Sequence, residues 1–323
     1  MNKKDAPAET APDPWKQKLQ ATLKQERPSP RRWGFWLGLV FLAAMALVVW
    51  LLLPRTPTGL PAIVTFDVLT RPEDEVVVRA IFDVKEGDAP VAGRTVIFQE
   101  SRLPLPGQEL LQAKTEVTSA SLARATLKPG LLLTQIAFEA NCPGGERQSG
   151  VKDQGVIYVR PAATPLLVVS VEGTLSIAGV EEWKKSNAQN PAAVPEAPPA
   201  LQEAQRLGYQ IVYLALEPDA PPDYQKRRVW TRYRFGVVPT ALPEGPILGR
   251  PEYPGDLAAA TSALLGELKE KFTDRRVAVT ADPAAAERFQ AAGWRTLLIG
   301  DGAALPGVER VRGWSELGKA LGK

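Results

Sequence analysis

The sequence predicts a membrane-anchored α and β multidomain protein: one transmembrane helix, an antiparallel β-sandwich and then a doubly wound α/β domain. Three observations favour this fold class. The run Trp33–Leu53 has no charged residue and is long enough to cross a bilayer. Residues 60–161 contain short segments with a side-chain period of two, which is typical of half-buried strands. In residues 162–323, apolar strand-like runs alternate with helical patterns, as in βαβ units.

The predicted transmembrane helix is Trp33–Leu53. At 1.5 Å per residue it would span about 30 Å, the thickness of a bilayer's hydrocarbon core. Trp33, Trp36 and Trp50 lie near its ends, where indole rings favour the membrane interface. A cleavable signal peptide is the alternative, but the apolar run exceeds a usual signal core and no Ala-x-Ala site follows Pro54. We therefore predict a retained anchor that has the lipid bilayer as its partner.

Flanking charge predicts the orientation of this helix. Residues 1–32 contain eight Lys/Arg and four Asp/Glu, whereas only Arg55 is basic in the stretch that directly follows the helix. The positive-inside rule then places a disordered basic tail, 1–32, in the cytoplasm. The rest of the chain would lie outside the cytoplasm, as the body of a single-pass protein of the cell membrane. Because the basic charge is concentrated in the tail, we predict no nucleic acid partner for the body.

Two features of the composition exclude whole classes of mechanism. The chain has no histidine, which removes Ser-His-Asp triads, His-ligated zinc and phosphohistidine chemistry. It has a single cysteine, Cys142, so no intrachain disulfide can form. That cysteine lies in an Asn-Cys-Pro-Gly-Gly turn, which favours an incidental thiol over a reactive one.

The first predicted domain, 60–161, consists of short strands separated by turn clusters. Its strands are rich in β-branched and aromatic residues and recur about every 10 residues, which indicates an antiparallel sandwich. The predicted strands are Ile63–Val68, Glu75–Phe82, Thr95–Phe98, Ser121–Thr126, Thr134–Ala140 and Gly155–Val159. The segments Pro90–Val96, Ala123–Ala125 and Lys128–Gly130 resemble bacterial immunoglobulin-like domains. That resemblance implies a spacer or an adhesive module.

The second predicted domain, 162–323, is doubly wound. Pro165–Val171 and Gln210–Leu216 are continuous apolar runs, as expected of strands covered on both faces of a parallel sheet. An insertion at about 177–197 follows the first of them. The other predicted elements are the strands Val277–Thr280 and Arg295–Ile299 and the helices Pro198–Leu207, Asp256–Phe272, Ala284–Ala292 and Ser315–Leu321. The site of such a fold lies at the carboxyl ends of its strands.

Residues at those strand ends resemble a known family. The first strand enters the segment Ser170–Thr174, Ser-Val-Glu-Gly-Thr, where the family has Asp-x-Asp-Gly-Thr. The second strand ends near Ala215, where the family usually has Ser or Thr, and the third runs into Asp282, at the place of an acidic metal-binding turn. Leu242–Leu248 is similar to a segment of one branch of this family that contains Gly-Pro. In order and spacing, about 160 residues thus resemble the haloacid dehalogenase-like (HAD) superfamily, nearest its lipin-type phosphatidate phosphatase branch.

The resemblance implies a phosphatase site whose chemical groups have been replaced. In the family, the first Asp attacks phosphorus and ligates magnesium, and the second protonates the leaving oxygen. Ser170 stands in place of the first, and Glu172 keeps a carboxylate at the second. Ala215 cannot hold phosphate through its side chain. These departures indicate a catalytically degenerate site.

The remaining candidates have structural interpretations. Thr174, together with Gly173, is interpreted as part of the turn that leaves the strand. Asp282 precedes Pro283 and an Ala-rich helix, which favours an N-cap over a magnesium ligand. No lysine stands at a convincing phosphate-binding position, and Arg250 is a weak candidate for that role.

We therefore predict a membrane-anchored, extracytoplasmic, pseudophosphatase-like protein with a binding or scaffolding role in the cell envelope. Its vestigial site would be Ser170, Glu172, Thr174, Ala215 and Asp282, with no cofactor, and its partner an envelope protein or lipid. Two alternatives stay open. One is a divergent, phosphatidate phosphatase-like hydrolase in which Glu172 and Asp282 bind magnesium. The other is an adhesive sandwich that carries the C-terminal domain as a passenger.

Overall fold

The structure is a computed structural model of the chain, which forms two compact units, Met1–Thr56 and Pro57–Lys323. The second unit contains both predicted domains, 60–161 and 162–323. The described residues are 15, 18, 19, 39–45, 59–102, 110–128, 134–145, 149–179, 182–183, 191–215, 221–236, 241–250, 253, 256–301 and 304–322.

In the first unit, residues 39–45 are helical and exposed. They belong to the predicted transmembrane helix Trp33–Leu53, and the rest of that segment lies outside the described residues. So does nearly all of the predicted tail, 1–32. Within the part of the chain that the structure describes, no helix combines the length and the apolar character needed to cross a membrane.

The first half of the second unit consists of two facing sheets, which we call the sandwich. Its strands are β1 (Ala62–Thr65), β2 (Val68–Thr70), β3 (Val76–Asp83), β4 (Thr95–Glu100), β5 (Gln112–Glu116), β6 (Leu122–Leu127), β7 (Gln135–Cys142) and β8 (Val151–Val159). One sheet has the order β1-β3-β6 and the other β2-β8-β7-β4-β5. Inward side chains of both sheets, such as Val78, Phe98 and Ile157, form one apolar core. All pairings are antiparallel except that of β2 with β8.

Two details of the sandwich differ from the prediction. The predicted strand Ile63–Val68 is divided at Phe66 and Asp67, so that β1 and β2 enter different sheets. Strand β5 was not predicted, because its sequence Gln-Ala-Lys-Thr-Glu has no large apolar residue and buries neither face fully. Both differences arise where the local apolar pattern is weak, as in β5, or is interrupted by a buried polar residue, as at Asp67.

The second half of this unit is a six-stranded parallel sheet with helices on both faces. Its strands are β9 (Leu166–Ser170), β10 (Gln210–Leu214), β11 (Ile247–Leu248), β12 (Arg276–Thr280), β13 (Arg295–Ile299) and β14 (Glu309–Val311). Its helices are α1 (Ala197–Arg206), α2 (Pro221–Phe235), α3 (Leu257–Lys271), α4 (Pro283–Ala291) and α5 (Leu317–Leu321). The strand order is β11-β10-β9-β12-β13-β14, which reverses between β9 and β12.

Alternate residues of the central strands supply the two apolar cores of this sheet. On β9, Leu167 and Val169 pack in the core that contains Leu201 of α1, whereas Leu166 and Val168 pack on the opposite side with helices α3 and α4. Every residue of β9 and β10 is buried. This double burial is why both strands are continuous apolar runs in the sequence.

The sandwich and the parallel sheet share these cores. Val64 and Phe66 pack in the core on the α1 side, and Phe66 lies 4.4 Å from the ring of Tyr224 on α2, measured between ring centroids. Leu69 and Tyr158 pack in the core on the other side of the sheet. The boundary region therefore has apolar contacts on both faces of the parallel sheet, which hold the two halves together as one unit.

Helix α2 is joined to the sandwich by a buried arginine. The side chain of Arg228 is 2% exposed. Its Nη2 donates to the two carboxylate oxygens of Asp153 at 2.7 and 2.5 Å, and its Nη1 donates to the carbonyl oxygen of Thr65 at 2.6 Å. The hydroxyl and backbone N–H of Thr65 also donate to Asp153, at 2.9 and 2.7 Å. The ion pair is therefore supported by hydrogen bonds on both of its members.

A second buried carboxylate, Asp67, joins the edge of the parallel sheet to the sandwich. Its side chain has no exposed surface, and it accepts hydrogen bonds from Nη2 of Arg232 at 2.5 Å and from the backbone N–H groups of Val156 and Ile247 at 3.0 and 3.1 Å. Burial raises the pKa of Asp67, and the guanidinium of Arg232 opposes that shift. Asp67 thus satisfies backbone donors of β8 and of the edge strand β11 at once.

Candidate functional site

The candidate site lies where the order of the parallel sheet reverses. Strands β9 and β12 are neighbours there, and they end at Ser170 and Thr280. In open α/β sheets, the crevice outside the carboxyl ends of such a strand pair is the usual position of a ligand. The sequence-predicted residues Ser170 and Thr174 lie at this position, and Asp282 follows β12.

Three buried hydroxyls fill the centre of this position. The hydroxyl of Ser170 donates to Oγ1 of Thr280 at 2.8 Å and lies 2.9 Å from Oγ1 of Thr174. The backbone N–H of Ala281 donates to Thr174 at 2.9 Å, and that of Asp282 donates to Thr280 at 3.0 Å. Among the described residues, the side-chain partners of the Ser170 hydroxyl are the hydroxyls of Thr174 and Thr280.

The turn after β9 has the structural role that the sequence predicts for it. Gly173 has φ +63°, a left-handed conformation that disfavours residues with a Cβ, and its N–H donates to the carbonyl oxygen of Ala178 at 2.9 Å. The N–H of Ser176 donates to the carbonyl oxygen of Val171 at 3.0 Å. The turn thereby places Thr174 back over the end of β12.

The carboxylate of Glu172 is buried in an ion pair. Its side chain is 2% exposed and pairs with Arg227 of α2, whose side chain is 1% exposed. The guanidinium of Arg227 also lies over the ring of Trp183, 5.4 Å from the ring centroid. Within the fold, the carboxylate of Glu172 is therefore held by a buried cation of α2.

The described parts of the insertion at about 177–197 pack against α2. Trp183 is buried, donates from Nε1 to Oγ of Ser176 at 2.9 Å, and meets Trp230 edge-on at 5.8 Å between ring centroids. Trp230 donates from Nε1 to the carbonyl oxygen of Pro191 at 2.8 Å, and the guanidinium of Arg234 lies 3.8 Å from its ring centroid. In its described residues, the insertion therefore covers Arg227 through Trp183.

Ala215 and Arg250 lie at the neighbouring strand ends. Ala215 follows β10, and its N–H donates to the carbonyl oxygen of Leu248 at 3.0 Å. Ala215, Arg250 and Thr261 line a pocket of about 10 Å³, which has room for about one water molecule. The guanidinium of Arg250 pairs with Glu267. This ion pair ties the Arg250 side chain to α3.

Asp282 caps a helix, as the sequence predicts. Its carboxylate accepts hydrogen bonds from the N–H groups of Ala284 and Ala285, at 3.1 and 3.2 Å, at the N-terminus of α4. Pro283 occupies the first turn, where its missing N–H costs nothing. Asp256 caps α3 in the same way, by accepting from the N–H of Ala259 at 2.9 Å.

We expect Asp282→Ala to lower the free energy of unfolding by about 1 kcal/mol, because two N–H groups lose their acceptor. Asp282→Ser keeps a capping oxygen and should stay within about 0.5 kcal/mol of the parent chain. Urea unfolding followed by circular dichroism measures both changes. An Asp282→Ala variant as stable as Asp282→Ser would contradict the capping role.

The residues of this site do not fit a magnesium ion. Ser170 supplies a hydroxyl where the family resemblance implies a carboxylate ligand, and that hydroxyl is already paired with Thr174 and Thr280. Glu172 is paired with Arg227, and Asp282 caps α4. Within the described part of the chain, no group of three or more His, Cys, Asp or Glu could hold a metal ion. Magnesium prefers several oxygen ligands in octahedral geometry, which this arrangement does not provide.

Sequence reasoning missed two members of the site. Thr280 could have been named as a candidate, because it is the last residue of the predicted strand Val277–Thr280 and the site of such a fold lies at the carboxyl ends of its strands. Arg227 could not, because α2 was not predicted. The segment from Pro221 to Phe235 contains four arginines and one lysine, and so many basic residues are typical of a solvated surface.

Comparisons with known proteins provide only weak likenesses. No protein-family model matches the chain, and no curated protein matches its sequence. One solved structure, D,D-heptose 1,7-bisphosphate phosphatase from Burkholderia thailandensis, is a weak neighbour from the HAD family. The match has 12% identity and a TM-score of 0.34, and it covers 49% of this chain and 97% of that chain.

Two further solved structures are less similar. PhoD matches with 9% identity and a TM-score of 0.26 over 49% of this chain and 27% of that chain. β-Glucuronidase 2 from Bacteroides uniformis matches with 10% identity and a TM-score of 0.25 over 74% of this chain and 36% of that chain. TM-scores of this size are too low to transfer an activity or a residue's role to this chain.

Proposed function

We propose that this chain is a membrane-anchored, extracytoplasmic, pseudophosphatase-like protein with a binding or scaffolding role in the cell envelope. In this proposal, the parallel sheet is a HAD-like domain nearest the phosphatidate phosphatase branch. The sandwich is an immunoglobulin-like domain. The anchor is the segment Trp33–Leu53, whose length and flanking charges support the orientation. The partner would be a protein or a lipid of the envelope.

The observation that carries the proposal is the internal pairing of the polar side chains described at the ends of β9 and β12. Ser170, Thr174 and Thr280 are hydrogen-bonded to one another, and Glu172 is neutralised by Arg227. Phosphoryl transfer needs a positioned nucleophile and groups that offset the charge of the phosphoryl oxygens. Here those positions are occupied by side chains that stabilise the fold, and a fold does not require catalysis to persist.

We expect no magnesium-dependent hydrolysis by the purified full-length protein above that of its Glu172→Gln variant. The reason is that neither Ser170 nor Glu172 is available for chemistry in its present contacts. The measurement is phosphate release from a panel of phosphoesters that includes phosphatidate, with and without magnesium. Glu270→Gln, which removes an exposed carboxylate from α3, is the matched control for charge.

The alternative, a divergent magnesium-dependent phosphoester hydrolase, predicts a different pattern. Turnover would require magnesium, would be lost in Glu172→Gln and would be retained in Glu270→Gln. That pattern would overturn the proposal and would mean that Glu172 leaves its ion pair with Arg227 when substrate binds. Circular dichroism of each variant ensures that any loss of turnover is not a loss of fold.

A further inference from the structure

The five-stranded sheet of the sandwich has an outer face that is open to solvent over part of its width. Side chains alternate along its strands, so that Phe98 of β4 and Phe138 of β7 point into the sandwich core and their neighbours point outward. At β8, the outward residues Val156 and Tyr158 pack in a core of the parallel sheet. At β4 and β5, most outward residues are exposed.

Strand register places four polar side chains in one line across this outer face. Gln99 of β4 is the partner of Gln112 on β5 and, on its other side, of Glu139 on β7. Glu139 is in turn the partner of Gln154 on β8. We call these four residues the polar row. Since neighbouring strands lie about 4.8 Å apart, the row is about 14 Å long.

The amide groups of the polar row are available to a ligand. Gln99, Gln112 and Gln154 are exposed, and among the residues that the structure describes their side chains have no hydrogen-bond partner. The backbone at the end of the row is fixed, because the carbonyl oxygen of Gln154 accepts a hydrogen bond from Nη1 of Arg228 at 3.0 Å. Each amide offers a carbonyl oxygen that accepts and an NH₂ group that donates.

The charges of this outer face cancel. Its open part carries two lysines and two glutamates, which are Lys114, Glu116, Glu139 and Lys152. Lys152 and Glu139 also pair with each other at 3.2 Å. Long-range attraction therefore favours neither a polyanion nor a polycation.

The open face also lacks the apolar centre that protein interfaces usually have. In β4, β5 and β7, which the structure describes throughout, Ile97 is the only large apolar residue that points outward, and it is half-buried. Its partners in the register are Lys114 and Asn141, so a second polar line runs beside the polar row. The chemistry of the face thus matches a partner that is uncharged and rich in groups that both donate and accept hydrogen bonds.

We propose that this face of the sandwich binds a neutral polysaccharide, whose hydroxyl groups exchange hydrogen bonds with the amides of the polar row. A hydroxyl donates one hydrogen bond and accepts others, as an amide does. Each such bond contributes little by itself, but a chain that lies along the row meets amides on three strands at once. The site is separate from the hydroxyls of Ser170, Thr174 and Thr280, so its test is independent of the proposed function.

Isothermal titration calorimetry of the full-length protein with three neutral hexasaccharides, cellohexaose, chitohexaose and maltohexaose, tests this site. We expect saturable binding of at least one of them, with an association constant that falls about tenfold in Gln99→Ala/Gln154→Ala, because two amides are lost from the row. Gln205→Ala/Gln290→Ala is the matched control, since it removes two exposed amides from α1 and α4. That control should change the constant less than about twofold.

The acidic analogue hexagalacturonate separates hydrogen bonding from attraction between charges. It should bind more weakly than the neutral probes, because the face has no excess of cations. Tighter binding of hexagalacturonate that weakens when sodium chloride rises from about 0.05 to about 0.5 M overturns the proposal. Absence of saturable binding for all three neutral probes overturns it as well, and so do equal losses in the two double variants.

Sedimentation velocity of the same proteins tests a second copy of the chain as the occupant of this face. We expect the parent chain and Gln99→Ala/Gln154→Ala to have the same sedimentation behaviour at every protein concentration. Self-association that is lost in this variant alone would assign the face to a second copy and overturn the proposal. Thermal unfolding of each variant shows that it remains folded.

Discussion

Replacing Arg228 by Met should lower the free energy of unfolding by about 3–5 kcal/mol, because the carboxylate of Asp153 would lose its cation while it stays largely buried. The carbonyl oxygen of Thr65 would also lose a donor. Since the sandwich and the parallel sheet belong to one compact unit, the loss should appear in a single cooperative transition. Urea unfolding monitored by tryptophan fluorescence measures it.

Lys226→Met is the matched control for this experiment. Lys226 lies on the same helix, and its ion pair with Asp223 is partly exposed, so its loss should cost less than about 1 kcal/mol. A cycle with Asp153→Asn then isolates the coupling between Arg228 and Asp153. Equal effects of Arg228→Met and Lys226→Met would show that α2 contributes little to the junction.

The sequence predicted the parallel sheet well where burial is continuous. Strands β9 and β10 are buried on both faces, so their sequences are uninterrupted apolar runs that require no knowledge of partners. Helices α3 and α4 were predicted from their local sequence patterns, and Asp282 has the predicted capping contacts. Local patterns suffice for such elements because each of their determinants lies within a few residues.

Helix α2 and the junction could not be predicted in this way. The arginines of α2 pair with carboxylates that are remote in sequence: Arg228 with Asp153, 75 residues earlier, and Arg232 with Asp67, 165 residues earlier. A buried arginine and a solvated arginine are identical in a sequence. Only the fold shows which of them is desolvated. The edge strand β11 was also missed, because two residues are too few to form a periodic pattern.

In the candidate site, too, local sequence patterns were predicted and contacts between remote residues were not. Ser170 and Thr174 were found because the segment that contains them follows a clear strand. Their pairing with Thr280 depends on β9 and β12 being neighbours, which the order of strands in the sequence does not reveal. The contact of Glu172 with Arg227 depends on α2. The candidate residues could therefore be identified from the sequence, whereas their contacts could not.

A second large effect on stability is expected at the ion pair between Arg227 and Glu172. Arg227→Met should lower the free energy of unfolding by about 3–5 kcal/mol, because it leaves the carboxylate of Glu172 buried without its cation. Glu172→Leu alone should have a comparable effect, since Arg227 would then be the unpaired charge. Chemical unfolding at neutral pH measures both single variants and their combination.

The double variant Arg227→Met/Glu172→Leu decides what the pair is for. If the two charges only stabilise the fold, an apolar pair of similar volume should recover most of the lost stability, because it removes both desolvation costs together. A binding or scaffolding partner that recognises other surfaces would then bind the double variant as it binds the parent chain. If Glu172 instead takes part in chemistry, the parent chain should show turnover, and the double variant should be stable but lack that turnover. Stability and turnover measured on the same variant thus separate a structural ion pair from a catalytic carboxylate.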